Sequence, residues 1–210
     1  MQPEIFVGLV ILIVSIVLHE VAHGHAANML GDPTARMAGR LTLNPLKHLD
    51  PMGSVIIPLV LALAHSPIFF GYAKPVPYNP YNLRGKYGEN IVAAAGPLTN
   101  LALALFAGVI IRIASAIGAD PAFIEVMSLA VYINIFLALF NLIPVPPLDG
   151  SKVITALLPQ SLALAYDRLR ERVEAYGMLF GFGLVLLIFY LFQPIFIFVV
   201  SSLFSLFTGL

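Results

Sequence analysis

Two histidines and a glutamate stand within one short run, HEVAH, at His19, Glu20 and His23. Each helical residue turns by about 100°, so His19 and His23 lie about 40° apart, one turn from each other on one face. Glu20 stands on the flank of that face. Two imidazoles so placed can share one metal ion, and a carboxylate beside them can act as general base toward water. By the same arithmetic His25 points away and reads as an interfacial or hydrogen-bonded histidine.

The run sits in an unexpected place. It closes an apolar segment from about residue 5 to 30 that opens IFVGLVILIVSIV. An ionisable group at the centre of a membrane helix costs about 2.5–3.5 kcal/mol by insertion scales. Three of them call for a partner, either a metal or a polar network between helices. A catalytic zinc takes three protein ligands and keeps one position open. Most other carboxylates lie at segment boundaries (Asp32, Asp50, Glu89), at the opposite end (Asp120, Glu125) or in a charged stretch (Asp167, Glu171, Glu174). Asp149, in NLIPVPPLDGSKVI, is set among apolar residues at a helix end. Pro144, Pro146 and Pro147 forbid regular helix and predict an extended chain, and Gly150 permits close backbone approach. Asp149 is therefore the candidate third ligand. Its alternative is an N-cap for a helix starting near Ser151.

The rest of the chain has to position these groups. Of 210 residues, 60% are hydrophobic and only 10% charged, where a water-soluble domain has about a quarter charged. This composition predicts an all-α polytopic membrane protein. The formal net charge is zero, so no field recruits nucleic acid. There is no cysteine, which excludes disulfides and thiolate metal sites. The start, MQPE, lacks the basic region of a signal peptide and predicts that the first helix is retained. Further helices are expected over 89–117 and from Asp120-Pro121 to 141, completing a three-helix core. An amphipathic helix over 162–176 carries Leu162, Tyr166, Leu169, Val173 and Tyr176 on one face. A last apolar tract over 178–210 is interrupted at Pro194, and is either one kinked span or a hairpin. The apolar run 52–64 is too short to span and has basic residues on both flanks (Arg36, Arg40 and Lys47; Lys74, Arg84 and Lys86). The positive-inside rule puts both flanks in the cytoplasm, so the run reads as re-entrant, and the His19 end of the first helix and Asp149 fall on that same side. The reading is one membrane-embedded domain over 1–210: a core over about 5–160, the amphipathic helix over 161–176 and a C-terminal membrane segment over 177–210.

HEVAH in the first core helix, AGPLTN in the second and NLIPVPPLDG after the third resemble the site-2 protease family of intramembrane zinc metalloproteases. The likeness covers roughly residues 5 to 160. It is closest to the small forms without an appended PDZ or CBS domain. It implies one zinc per chain held by His19, His23 and Asp149, with Glu20 as the base. It also implies that Asn141, eight residues before the aspartate, helps stabilise the oxyanion. The alternative for Asn141 is a helix C-cap or an interhelical hydrogen bond. Gly96, Pro97 and Asn100 match the family's middle-helix motif, which implies packing or substrate positioning. The expected substrate is a transmembrane protein or peptide in the lipid bilayer of a prokaryotic cell, cut on the cytoplasmic side. Residues 41–44 and 69–76 are expected to pair as short strands whose edge receives an extended substrate. The competing function is a membrane metal transporter or sensor built on the same histidines and aspartate.

Overall fold

The computed structural model describes residues 3–56 and 73–210. In chain order its α-helices are α1 (Pro3–Met29), α2 (Thr34–Met37), α3 (Gly88–Ala116), α4 (Pro121–Asn141), α5 (Gly150–Leu157), α6 (Gln160–Ala175) and α7 (Met178–Thr208). Among the described residues, α1, α3, α4 and α7 are long and apolar enough to cross a membrane. A bilayer core admits only backbone whose polar groups are satisfied internally, which a helix achieves along its own length. The protein is accordingly an all-α polytopic membrane protein, as its composition predicts.

α3 lies at the centre and packs against α1, α4 and α7. Its buried positions follow one helical face, and many are small: Gly88, Ala93, Gly96, Ala104, Ala107, Gly108 and Ala114. Small side chains let membrane helices approach closely where lipid supplies no hydrophobic drive. Toward the end away from the histidines, Ala104, Ala107 and Ile111 of α3 join Val131 and Ile135 of α4 and Val200 of α7 in a buried apolar cluster. There the Arg112 guanidinium donates to the carbonyls of Phe207 (2.9 Å) and Leu206 (2.6 Å), and so satisfies acceptors that the last turn of α7 leaves open.

The C-terminal tract resolves into one span. Pro194 lies inside α7, which continues through it for 31 residues. Phe189 and Phe196 of α7 meet Phe136 of α4 edge to face. α6 occupies the stretch expected for the amphipathic helix, and Tyr166 ties it to the Pro144 carbonyl at 2.8 Å.

The run expected to be re-entrant opens with a π-helical turn over Pro51–Ile56, and the remainder of it lies outside the described residues. Its flanks, however, meet at one end of the bundle. Arg84 N donates to Leu30 O at 2.8 Å, joining the end of α1 to the approach to α3. Among the described residues there is no strand. Of the pair expected over 41–44 and 69–76, residues 41–44 form bends and loop, 69–72 fall outside the description, and 73–76 run without regular structure. The backbone link present there is Lys74 N to His48 O (2.9 Å), with the Arg40 guanidinium on the carbonyls of Lys74 and Pro75.

Candidate metal centre

The last third of α1, the first half of α3 and the turn before α5 converge at one end of the bundle. His19 and His23 stack one helical turn apart on α1, their Nε2 atoms 3.0 Å from each other. Asp149 Oδ2 lies 3.1 Å from the first Nε2 and 3.3 Å from the second. Zinc holds nitrogen and oxygen at about 2.0–2.2 Å, so the edges of its coordination tetrahedron are roughly 3.3 Å long. The three atoms already form such a face.

The far nitrogens decide what these atoms can do. His23 Nδ1 lies 2.7 Å from the carbonyl of Val92. A carbonyl only accepts, so this nitrogen carries the proton. His19 Nδ1 lies 2.6 Å from Asn100 Oδ1, again an acceptor. When the rings are neutral, each therefore turns an Nε2 lone pair toward Asp149. In that state two lone pairs and a carboxylate oxygen converge on one point. A single proton can join two of the three, whereas a divalent cation joins all three. The donor set, two nitrogens and one oxygen with tied second nitrogens, suits zinc.

Gly96 makes room for this arrangement. A Cβ there would collide with the Nε2 atoms of both histidines. Asp149 stands at the N-cap position of α5, but its side chain makes no capping bond and turns to the histidines instead. The chain before it is not extended as the prolines predict. It folds into successive turns, with Val145 N on Ile143 O (2.8 Å) and Leu148 N on Val145 O (3.0 Å). Proline fixes φ near −65°, which turns and extended chain share, and leaves ψ to the surroundings. Gly150 completes the fit, because a Cβ there would run into the Leu142 and Ile143 carbonyls.

A cavity of about 360 Å³ opens on the three ligand atoms, and Glu20, Tyr78, Asn141, Lys152 and Phe182 also line it. Glu20 Oε2 accepts from Val76 N at 2.9 Å. Asn141 Nδ2 donates to Leu137 O, one turn back on its own helix, at 2.9 Å. Asn100 and Pro97 are buried away from the cavity, Asn100 behind His19. His25 is exposed, as its helical phase predicts. At the cavity rim Lys152 Nζ donates to the Tyr78 hydroxyl (2.5 Å) and lies 3.3 Å from Glu89. Burial works against that ammonium, but Tyr78 and Glu89 outweigh it and hold its pKa above the ordinary lysine value. Val92, Val76 and Tyr78 escape sequence reasoning. The first two act through backbone atoms, which no residue type marks.

The profile of peptidase family M50 matches residues 107–188. "Putative zinc metalloprotease YwhC" of Bacillus subtilis is 38% identical over 175 residues, 80% of this chain and 74% of that protein. "Putative zinc metalloprotease Rip2" of Mycolicibacterium smegmatis is 32% identical over 158 residues, 71% of this chain and 58% of the relative. "Putative zinc metalloprotease MJ0611" of Methanocaldococcus jannaschii is 35% identical over 100 residues, about half of each chain. No solved structure matches significantly.

Proposed function

The chain belongs to peptidase family M50, the site-2 protease family, and from that membership we propose that it is an intramembrane zinc endopeptidase hydrolysing peptide bonds within or near the transmembrane segments of other membrane proteins. The observation that carries this reading is the meeting of three potential metal-ligand atoms, beside a carboxylate, on one cavity of a membrane bundle. His19, His23 and Asp149 would hold the ion. Zinc, when bound, supplies a Lewis acid that brings the pKa of water to about 7. Glu20, one oxygen steadied by the Val76 N–H, accepts the proton of the attacking water and returns it to the leaving nitrogen. One water is consumed, and a carboxylic acid and an amine are released. Asn141 has a second Nδ2 hydrogen beyond the one given to Leu137, and offers it to the carbonyl oxygen as that atom gains charge. The cavity walls of Ile16, Leu137, Phe140 and Phe182 accept apolar side chains of an unwound helix. The basic residues on both flanks of 52–64 orient this end of the bundle toward the cytoplasm.

The test uses protein reconstituted in liposomes with a transmembrane peptide substrate, comparing wild type with Glu20→Gln. Wild type carries one zinc and cleaves. The variant keeps its zinc and cleaves about 10³-fold more slowly, within the range lost with a general acid–base. Undiminished cleavage by Glu20→Gln overturns the mechanism.

A further inference from the structure

Behind the metal face lies a polar chain that the reaction does not touch. Ser15 on α1, Asn100 on α3 and Asn134 on α4 are 3%, 0% and 4% exposed, inside helices that otherwise present apolar residues to one another. Asn134 Nδ2 donates to the Ala130 carbonyl (2.9 Å) and to Ser15 Oγ (2.9 Å). Asn100 Nδ2 donates to Asn134 Oδ1 (2.8 Å). Asn100 Oδ1 faces His19 Nδ1.

The directions can be read from one end, and a long contact of Asn100 Nδ2 with the Ser15 carbonyl (3.5 Å) agrees with them. The Ala130 carbonyl only accepts, so the Asn134 amide must turn its nitrogen that way and its oxygen toward Asn100. Asn100 must then present its nitrogen to Asn134 and its oxygen to His19. His19 must in turn protonate Nδ1 and leave Nε2 as a lone pair. His23 needs no such device, because the Val92 carbonyl sets its tautomer directly.

We propose that Asn134, with Ser15, is a positioning residue that acts through Asn100 to hold His19 in the tautomer and orientation that binds the metal. The proposal rests on the metalloprotease reading above for its consequence in zinc affinity, and on hydrogen bonding alone for its consequence in the imidazole. Partners behind a metal-ligating histidine contribute roughly 10–100-fold to affinity.

Two substitutions separate relay from packing. Asn134→Leu keeps the number and branching of the side-chain heavy atoms and removes every polar atom; its greater bulk overpacks the site, so the His19 tautomer, and not zinc affinity alone, separates relay from packing. Asn134→Asp keeps an oxygen that accepts from Asn100 Nδ2 whatever its charge, at a cost in burial that packing alone would resent more. Zinc affinity is read by competition with a chromophoric chelator on the full chain in detergent. The His19 tautomer is read from ¹⁵N-histidine spectra of the metal-free protein in alkaline buffer, and helical circular dichroism reports that each variant is folded. The relay predicts that Asn134→Leu loses about 10–100-fold in zinc affinity and shows mixed tautomers at His19, while Asn134→Asp stays within a few-fold of wild type with Nδ1 protonated. An unchanged tautomer in Asn134→Leu overturns the relay, as does a variant order with Asp worse than Leu. A tautomer change in Asn134→Leu when the wild type takes up no zinc supports the relay and overturns the metalloprotease reading instead.

Discussion

Asp32 and Asp149 each stand in a turn that follows a membrane-crossing helix, and each is a carboxylate drawn in among other side chains. Asp32 is the more deeply buried, with no exposed surface. Its oxygens take hydrogen bonds from Thr34 N (3.2 Å), Thr34 Oγ1 (2.5 Å), Asn79 N (2.7 Å) and Asn82 Nδ2 (2.9 Å). Four donors meet one anion, and the result is a knot joining the end of α1 to the approach to α3. Asp149 has the opposite company. The partners of its carboxylate are two imidazole nitrogens whose far sides are tied to acceptors, so that each neutral ring offers Asp149 a lone pair. Burial does not separate the structural carboxylate from the candidate ligand. The donor or acceptor character of the neighbours does.

The largest effect expected from this contrast is Asp149→Ala. Zinc per chain should fall from one to near zero and cleavage by at least about 10³-fold, with the helical signal intact, because a catalytic zinc needs its third ligand. Asp32→Ala should do the reverse, keeping zinc in the fraction that folds. Zinc analysis of both purified variants checks the pair. Full zinc in Asp149→Ala would collapse the distinction.

How far the contrast was legible beforehand depends on the kind of information each residue carries. His19, Glu20 and His23 are related by helical phase, a local property, so the shared face of the two histidines and the flanking place of Glu20 were readable at once. Asp149 is 130 residues from His19, yet it was readable because it is an isolated carboxylate in an apolar stretch. The three core helices and the apolar character of the C-terminal tract followed from apolar length alone. Asn100 was visible as a motif residue but not as the partner of His19, since that pairing depends on how α1 and α3 face each other. The Val92 carbonyl and the Val76 amide were invisible, because backbone atoms are common to every residue. Proline chemistry misled in one place: it excludes helix at Pro144–Pro147 but does not choose between extended chain and turns. At Pro194 it left two answers open, and packing of α7 against α4 selected the continuous helix.

Gly96→Ala sharpens the same contrast from the protein side. In an exposed helix this change would add about 1 kcal/mol of helix stability. Here the new Cβ falls where the two Nε2 atoms stand, so α1 and α3 must part. A displacement of about 1 Å at a reacting centre can cost on the order of 10²-fold in rate. We expect cleavage to fall by about that factor with thermal stability within about 1 kcal/mol of wild type. A fall in rate accompanied by an equal collapse of stability would show that Gly96 serves packing alone.

The smallest expected effect is a pH dependence at the other carboxylate. Burial pushes the Asp32 carboxyl upward, but the bonds from Thr34, Asn82 and Asn79 outweigh it and hold the group below the ordinary aspartate value. A carboxylate whose pKa is lower folded than unfolded stabilises the fold above the unfolded value, about 3.9, and that contribution fades as pH falls through the folded value. Asp32→Asn removes the charge while keeping the shape, so it should be less stable than wild type at neutral pH, by up to about 3 kcal/mol if a charge-assisted bond is lost and a buried donor is left facing the new amide. The gap should narrow as pH falls below about 4, where Asp32 in the unfolded chain takes up its proton. Thermal unfolding of both proteins in detergent across that range measures it. Acid also strips zinc from histidine ligands, but both proteins share that loss and it drops out of the difference. A gap independent of pH would mean that the Asp32 knot works by shape and hydrogen-bond count, with no contribution from charge, and the contrast with Asp149 would then rest on geometry alone.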